Sequence, residues 1–106
     1  MRYHAHIFFA EWEREAAALL GVALRAELPP EVEVGPFLPR AAGPLPGPMI
    51  QLEYPERHLA QVRGVLDSLR EQRSVLIHPL LEDELLAHQV HSEWLGPPLR
   101  LRLEAL

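Results

Sequence analysis

The chain has 106 residues, 48% of them hydrophobic and 24% charged, with a formal net charge of −5 at pH 7. That length suits one domain, expected over residues 1–106, and the composition suits a packed core rather than disorder. The acidic balance and the lack of any Lys/Arg run argue against nucleic acid or an anionic membrane surface as partner, and the absence of cysteine removes disulfides and thiolate metal sites.

Any metal must therefore rest on His, Asp, Glu or backbone oxygen. No apolar stretch approaches the length of a membrane span. Met1 to His6 lacks the layout of a signal peptide and runs straight into a strand pattern, so a cytoplasmic location is expected.

Tyr3 to Phe9 reads as the first strand, rich in aromatic and apolar residues. Alternation puts Tyr3, Ala5, Ile7 and Phe9 on one face and His4, His6 and Phe8 on the other. Glu11 to Leu28 predicts a helix, with Trp12, Ala16, Leu19, Leu20 and Ala23 at helical spacing and Trp12 assigned to the core. Pro29-Pro30 ends it. Glu31 to Leu38 is a weaker strand pattern, and Pro39 to Pro48 a loop dense in Pro and Gly. Met49 to Tyr54 is a strand that alternates Ile50, Leu52 and Tyr54 against Met49, Gln51 and Glu53. Pro55 fits the first position of a helix whose buried stripe is Leu59, Val62, Leu66 and Leu69. Ser74 to His78 is the next strand, Glu82 to His91 a short helix, and Leu95 to Leu103 a tail.

The order β-α-β-β-α-β, followed by that short C-terminal helix and tail, predicts an α+β ferredoxin-like sandwich. Both helices then cover one sheet face. A loop, the tail or a second copy of the chain must cover the other, so a homodimer is expected.

Six histidines are candidates for chemistry: His4, His6, His58, His78, His88 and His91. His4 and His6 point the same way, about 7 Å apart along their strand. In a ferredoxin-like sheet the strands carrying His4, His6 and His78 are neighbours, so the three meet on the face away from the helices, with Gln51 joining from an adjacent strand. Neutral imidazole is the commonest metal ligand, and two His plus a carboxylate is the arrangement of non-haem Fe(II) oxygenases. Glu53, Asp83 and Glu84 are the nearby carboxylates. A His-x-His pair on a strand also occurs without function, facing solvent or an interface. His58 reads as a surface residue. His88 and His91, three residues apart, share a helix face as ligands, acid/base groups or surface residues. Trp94 can wall a ring-shaped ligand or anchor the tail.

Five segments together resemble the DOPA 4,5-dioxygenase family across nearly the whole chain. They are Tyr3-His-Ala-His-Ile-Phe-Phe9, Gly43-Pro44-Leu45-Pro46, Met49-Ile50-Gln51, Val75-Leu-Ile-His-Pro79 with Asp83 and His88 at the family's offsets, and Trp94-Leu95-Gly96-x-Pro98-Leu99. The resemblance implies a ferredoxin-like fold and extradiol cleavage of a small, DOPA-like catechol by O₂. It implies a non-haem metal, Fe(II) foremost, with Zn, Ni or Mn as alternatives. His4, His6 and His78 are then expected around the metal and His88 and His78 in catalysis. Gln51, Asp83, His91 and Trp94 are expected around the substrate. Three residues, at two places, depart from the pattern. Leu45 stands where the family loop usually shows His, and Leu81-Glu82 replaces the usual Thr-Gly. Three functions follow as candidates: a ring-cleaving dioxygenase, a family member that binds metal or a small aromatic without catalysis, and a structural dimerisation domain.

Overall fold

The computed structural model describes residues 1–106, apart from the side chain of Val90. Five strands, β1 (Arg2–Phe8), β2 (Glu33–Leu38), β3 (Met49–Pro55), β4 (Val75–Pro79) and β5 (Glu93–Leu95), form one sheet in the order β2-β3-β1-β4-β5. Every neighbouring pair is antiparallel. Helices α1 (Arg14–Glu27) and α2 (Leu59–Leu69) follow β1 and β3. The first four strands and two helices are the expected ferredoxin-like arrangement, and β5 extends the sheet beyond β4.

Alternation along the strands divides the sheet's residues between two faces. On one, Ala5, Ile7, Ile50, Leu52, Tyr54, Val75 and Ile77 meet Ala17, Leu24, Val62 and Leu66 of the helices, all buried in one cluster. Each large apolar side chain buried there contributes roughly 1.5–3 kcal/mol. This is the main core.

The helix assignments need three corrections. Residues 11–13 form a turn before α1, because the Glu13 side chain accepts the Ala10 N–H at 2.8 Å and the Arg73 guanidinium at 2.7 Å. Trp12, on that turn, is 87% exposed rather than core. The buried stripe of α1 is Ala17, Gly21 and Leu24, and Leu19 faces out, because small residues let the helix lie close on the sheet near Ile50. Pro55 ends β3 in extended conformation, and a 3₁₀ turn (Glu56–His58) intervenes before α2.

The opposite face carries His4, His6 and Phe8 of β1, Met49, Gln51 and Glu53 of β3, Leu76 and His78 of β4, and Trp94 of β5. One end of it is apolar and closed by the chain itself. Phe8, Leu45, Met49 and Leu76 form a buried cluster, with Trp94 and Leu101 packed against it. The loop reaches this cluster through a turn with Gly43 at φ +54°, in which Leu45 N–H donates to the Ala42 carbonyl. The tail is tied to the loop by Arg102 N–H donating to the Pro44 carbonyl at 2.6 Å. Gly96, at φ +73°, turns the chain out of β5 so tightly that a Cβ there would lie 3.0 Å from the Arg73 carbonyl oxygen. Loop and tail, two of the three coverings expected from the sequence, thus close part of this face.

Candidate functional site

The other end of this face holds the histidines. His4 lies directly opposite His78 on β4 and opposite Glu53 on β3, while His6 lies opposite Gln51. His4, His6 and His78 each bring one ring nitrogen into a group whose members all lie within 4.8 Å of one another. The Nε2 atoms of His6 and His78 are 2.9 Å apart. Two nitrogens bound at right angles to one ion at about 2.0–2.1 Å lie roughly 3.0 Å apart, so this pair fits adjacent corners of a coordination shell. Both rings are almost wholly buried.

Hydrogen bonds orient these rings. His78 Nδ1–H donates to its neighbour Pro79's carbonyl at 3.0 Å, which leaves Nε2 with its lone pair. The Nε2 of His4 donates to Glu53 Oε1 at 2.9 Å, and Arg2 Nε holds the other oxygen of that carboxylate at 2.9 Å. Those two bonds hold the Glu53 carboxyl below its ordinary range, ionised beside His4. Gln51 Nε2 sits 3.5 Å from His4 Nε2. His6 Nδ1 is buried without a hydrogen-bond partner among the described residues.

Burial is the main cause of the site's electrostatics. It pushes the His6 imidazole well below its ordinary value, helped by His78, His4 and His88. Burial likewise lowers His78 to about 4, against the opposing bond to Pro79. Both rings are therefore neutral near pH 7, the form that ligates metal. An all-imidazole donor set suits Fe, Zn, Ni or Cu, and does not choose among them.

His88 completes the cluster from above. Its ring centroid is 4.1 Å from that of His78. A π-helical turn (Leu86–Val90), closed by His91 N–H donating to the Leu86 carbonyl five residues back, carries it. His88 Nδ1–H donates to the Glu84 carbonyl at 2.8 Å, so its Nε2 is the free acceptor. A pocket of about 150 Å³ lies among His4, His6, His78, His88 and Gln51, walled by Leu45, Leu81 and Glu84.

The structure thus brings five of the expected residues together and leaves three outside. Asp83 is exposed and caps the π-helical segment, its Oδ1 accepting the Leu86 N–H at 3.1 Å. His91 is exposed and lines a neighbouring groove with Tyr3 and Glu56, because the wider π turn rotates it away from His88. Trp94 packs on Phe8 at 6.0 Å between ring centroids, in the apolar cluster. Sequence reasoning missed Arg2 as the partner of Glu53, because it began the strand at Tyr3, whereas β1 starts at Arg2 and alternation puts that residue on the His4 face. It also missed β5, which is three residues long and leaves no alternation to read.

A ferredoxin-like sheet with a buried histidine cluster on its open face defines a class of small single-sheet proteins suited to binding a metal. The particular family is shown by comparison. A model of the Dopa 4,5-dioxygenase family matches residues 3–105, and the chain belongs to that family. It is 34% identical over 64 residues to the DOPA 4,5-dioxygenase of Amanita muscaria, a stretch covering 60% of this chain and 28% of that protein. It is also similar to the crystal structure of a candidate dioxygenase from Nostoc punctiforme, with a TM-score of 0.86 and 33% identity over 97% of this chain and 88% of that one.

Proposed function

We propose that the protein is an extradiol-type dioxygenase that opens the ring of a small catechol. The convergence of His4, His6, His78, His88 and Gln51 on one half-open pocket carries this reading. In that reaction the ring carbon–carbon bond beside the diol and the O–O bond break and two C–O bonds form. The ring supplies all four electrons, so no other reductant is needed.

His4, His6 and His78 would hold the metal, Fe(II) foremost. The buried imidazole pair fits an occupied site, since its two facing Nε2 atoms, 2.9 Å apart, belong to neutral rings and can share one ion. The metal, when bound, supplies the route by which electrons pass from catechol to O₂ and favours the ionised diol. The chain does the rest. Glu53 fixes the His4 ring. Gln51 offers an amide to a diol oxygen. His88 Nε2, held as an acceptor by the bond at Nδ1, takes a phenolic proton and returns it to the opened product.

Leu45 supports a second reading. It is buried and walls the pocket where the family loop usually shows His. If that His is needed for turnover, the chain binds metal and aromatic ligand without cleaving it. Anaerobic Fe(II) loading followed by O₂ uptake with catechols separates the two. Stoichiometric iron with catechol-dependent O₂ consumption, both lost in His6→Ala, supports the dioxygenase. Iron without O₂ uptake, with uptake gained in Leu45→His, supports the binding module.

A further inference from the structure

The pocket's walls restrict what can hang from the ring. None of the described residues lining it is Arg, and this chain has no Lys. Leu45, Leu80, Leu81 and Ala87 line it beside the histidines, and the carboxylate among the lining residues is that of the exposed Glu84. Arg2, on the His4 side of its strand, is committed to Glu53 at 2.9 Å and to Glu33 at 4.0 Å. Around the helix that roofs the pocket, Leu80, Leu85 and Leu86 are all exposed. A carboxylate on the substrate would therefore exchange water for leucine and face another carboxylate. The pocket, at about 150 Å³, is also small beside the roughly 300–1,000 Å³ of a drug-sized site.

Resting on the dioxygenase reading above, we infer that the site takes a catechol without a carboxylate, bearing at most a small apolar substituent, and that Leu45 and Leu81 set this preference. Both are among the residues at which the chain departs from the family pattern, and both wall the pocket. A ring such as 4-methylcatechol places its methyl group on leucine. L-DOPA and 3,4-dihydroxyphenylacetate bring an anion that finds no cation.

The test uses the Fe(II)-loaded protein with three probes: 4-methylcatechol, L-DOPA and 3,4-dihydroxyphenylacetate. Binding is read by anaerobic calorimetry and turnover by O₂ uptake. The expected result is binding of 4-methylcatechol at least about tenfold tighter than of either carboxylate, with kcat/KM in the same order. Leu81→Arg, at a half-buried position with room for a snorkelling side chain, should tighten 3,4-dihydroxyphenylacetate by about fivefold and leave 4-methylcatechol no tighter. Equal or tighter binding of the carboxylates would overturn the inference whatever the O₂ uptake. The expected binding order without O₂ uptake would retain the pocket's preference and remove the dioxygenase reading. Failure of all three to bind would overturn both.

Discussion

The two faces of the one sheet are made by alternate residues of the same strands, yet they are built to opposite rules. The helix-covered face is apolar apart from the buried Tyr54 hydroxyl, from Ile50 on β3 through Ile7 on β1 to Val75 on β4. The other face changes character halfway along. Phe8, Met49 and Leu76 lie under the loop and the tail, and two residues further along the same strands stand His6, Gln51 and His78. The first face stabilises. The second spends burial on groups that prefer water, and burying such groups without full satisfaction marks a site rather than a core.

Breaking the histidine end should give the largest effect. In His6→Leu/His78→Leu, affinity for Fe(II) should fall by more than the roughly 100-fold that loss of an outer hydrogen-bond partner of a ligand costs. Metal-free stability in urea should stay equal or rise, because two abutting buried imidazoles are replaced by apolar groups of similar size. A large loss of stability would mean that the imidazole pair is structural.

The helix-covered face should respond the other way. Ile7→Ala removes a side chain with no exposure and should cost about 2–5 kcal/mol of unfolding free energy. Metal stoichiometry at low denaturant should be unchanged, since only the partner face carries ligands.

Acid sharpens the comparison. His6 and His78 have folded-state values below the ordinary 6.5, so the unfolded chain takes up protons first as pH falls. Their neutral, buried state costs nothing extra above pH 6.5. From 6.5 down towards about 4, where His78 titrates in the fold, metal-free stability should drop by up to about 1.4 kcal/mol per pH unit per histidine. The double leucine variant should lose most of that slope in urea titrations at pH 7.5, 6 and 5. An unchanged slope would place the acid sensitivity elsewhere.

Much of this comparison was legible in the strands. Period-two alternation in Tyr3 to Phe9 and Met49 to Tyr54 assigned His4, His6 and Gln51 to one face, and the β-α-β-β-α-β order made β1 and β4 neighbours. It failed where side-chain direction depends on something other than period. Trp12 matches the helical spacing of Ala16 and Leu19, but Glu13's hydrogen bonds end the helix before reaching it. His91 matches His88 at α-helical spacing, but the segment is a π turn. Trp94 was ambiguous because β5 is too short to show its register, and pairing with Leu76 settles it in the apolar half. Leu45 and Leu81 were legible only as departures from a family pattern. Their place as pocket walls comes from the loop turn at Gly43 and from the segment after Pro79.

The smallest expected effect lies at Asp83, which tests how far the site extends. In the structure its carboxylate caps the segment that carries His88 and does not reach the pocket. Loss of such a cap costs about 1 kcal/mol, much of it local. Asp83→Ala should therefore speed hydrogen exchange at Leu86 and its neighbours, and lower the rate of proton-dependent steps through a less ordered His88. Catechol affinity should barely change. Asp83→Asn, which keeps an acceptor oxygen for the Leu86 N–H, should restore most of the exchange protection. If instead Asp83→Ala weakened catechol binding with exchange unaltered, and Asp83→Asn failed to rescue it, the carboxylate would belong to the substrate. The boundary between scaffold and site would then lie one helical turn further out than the geometry places it.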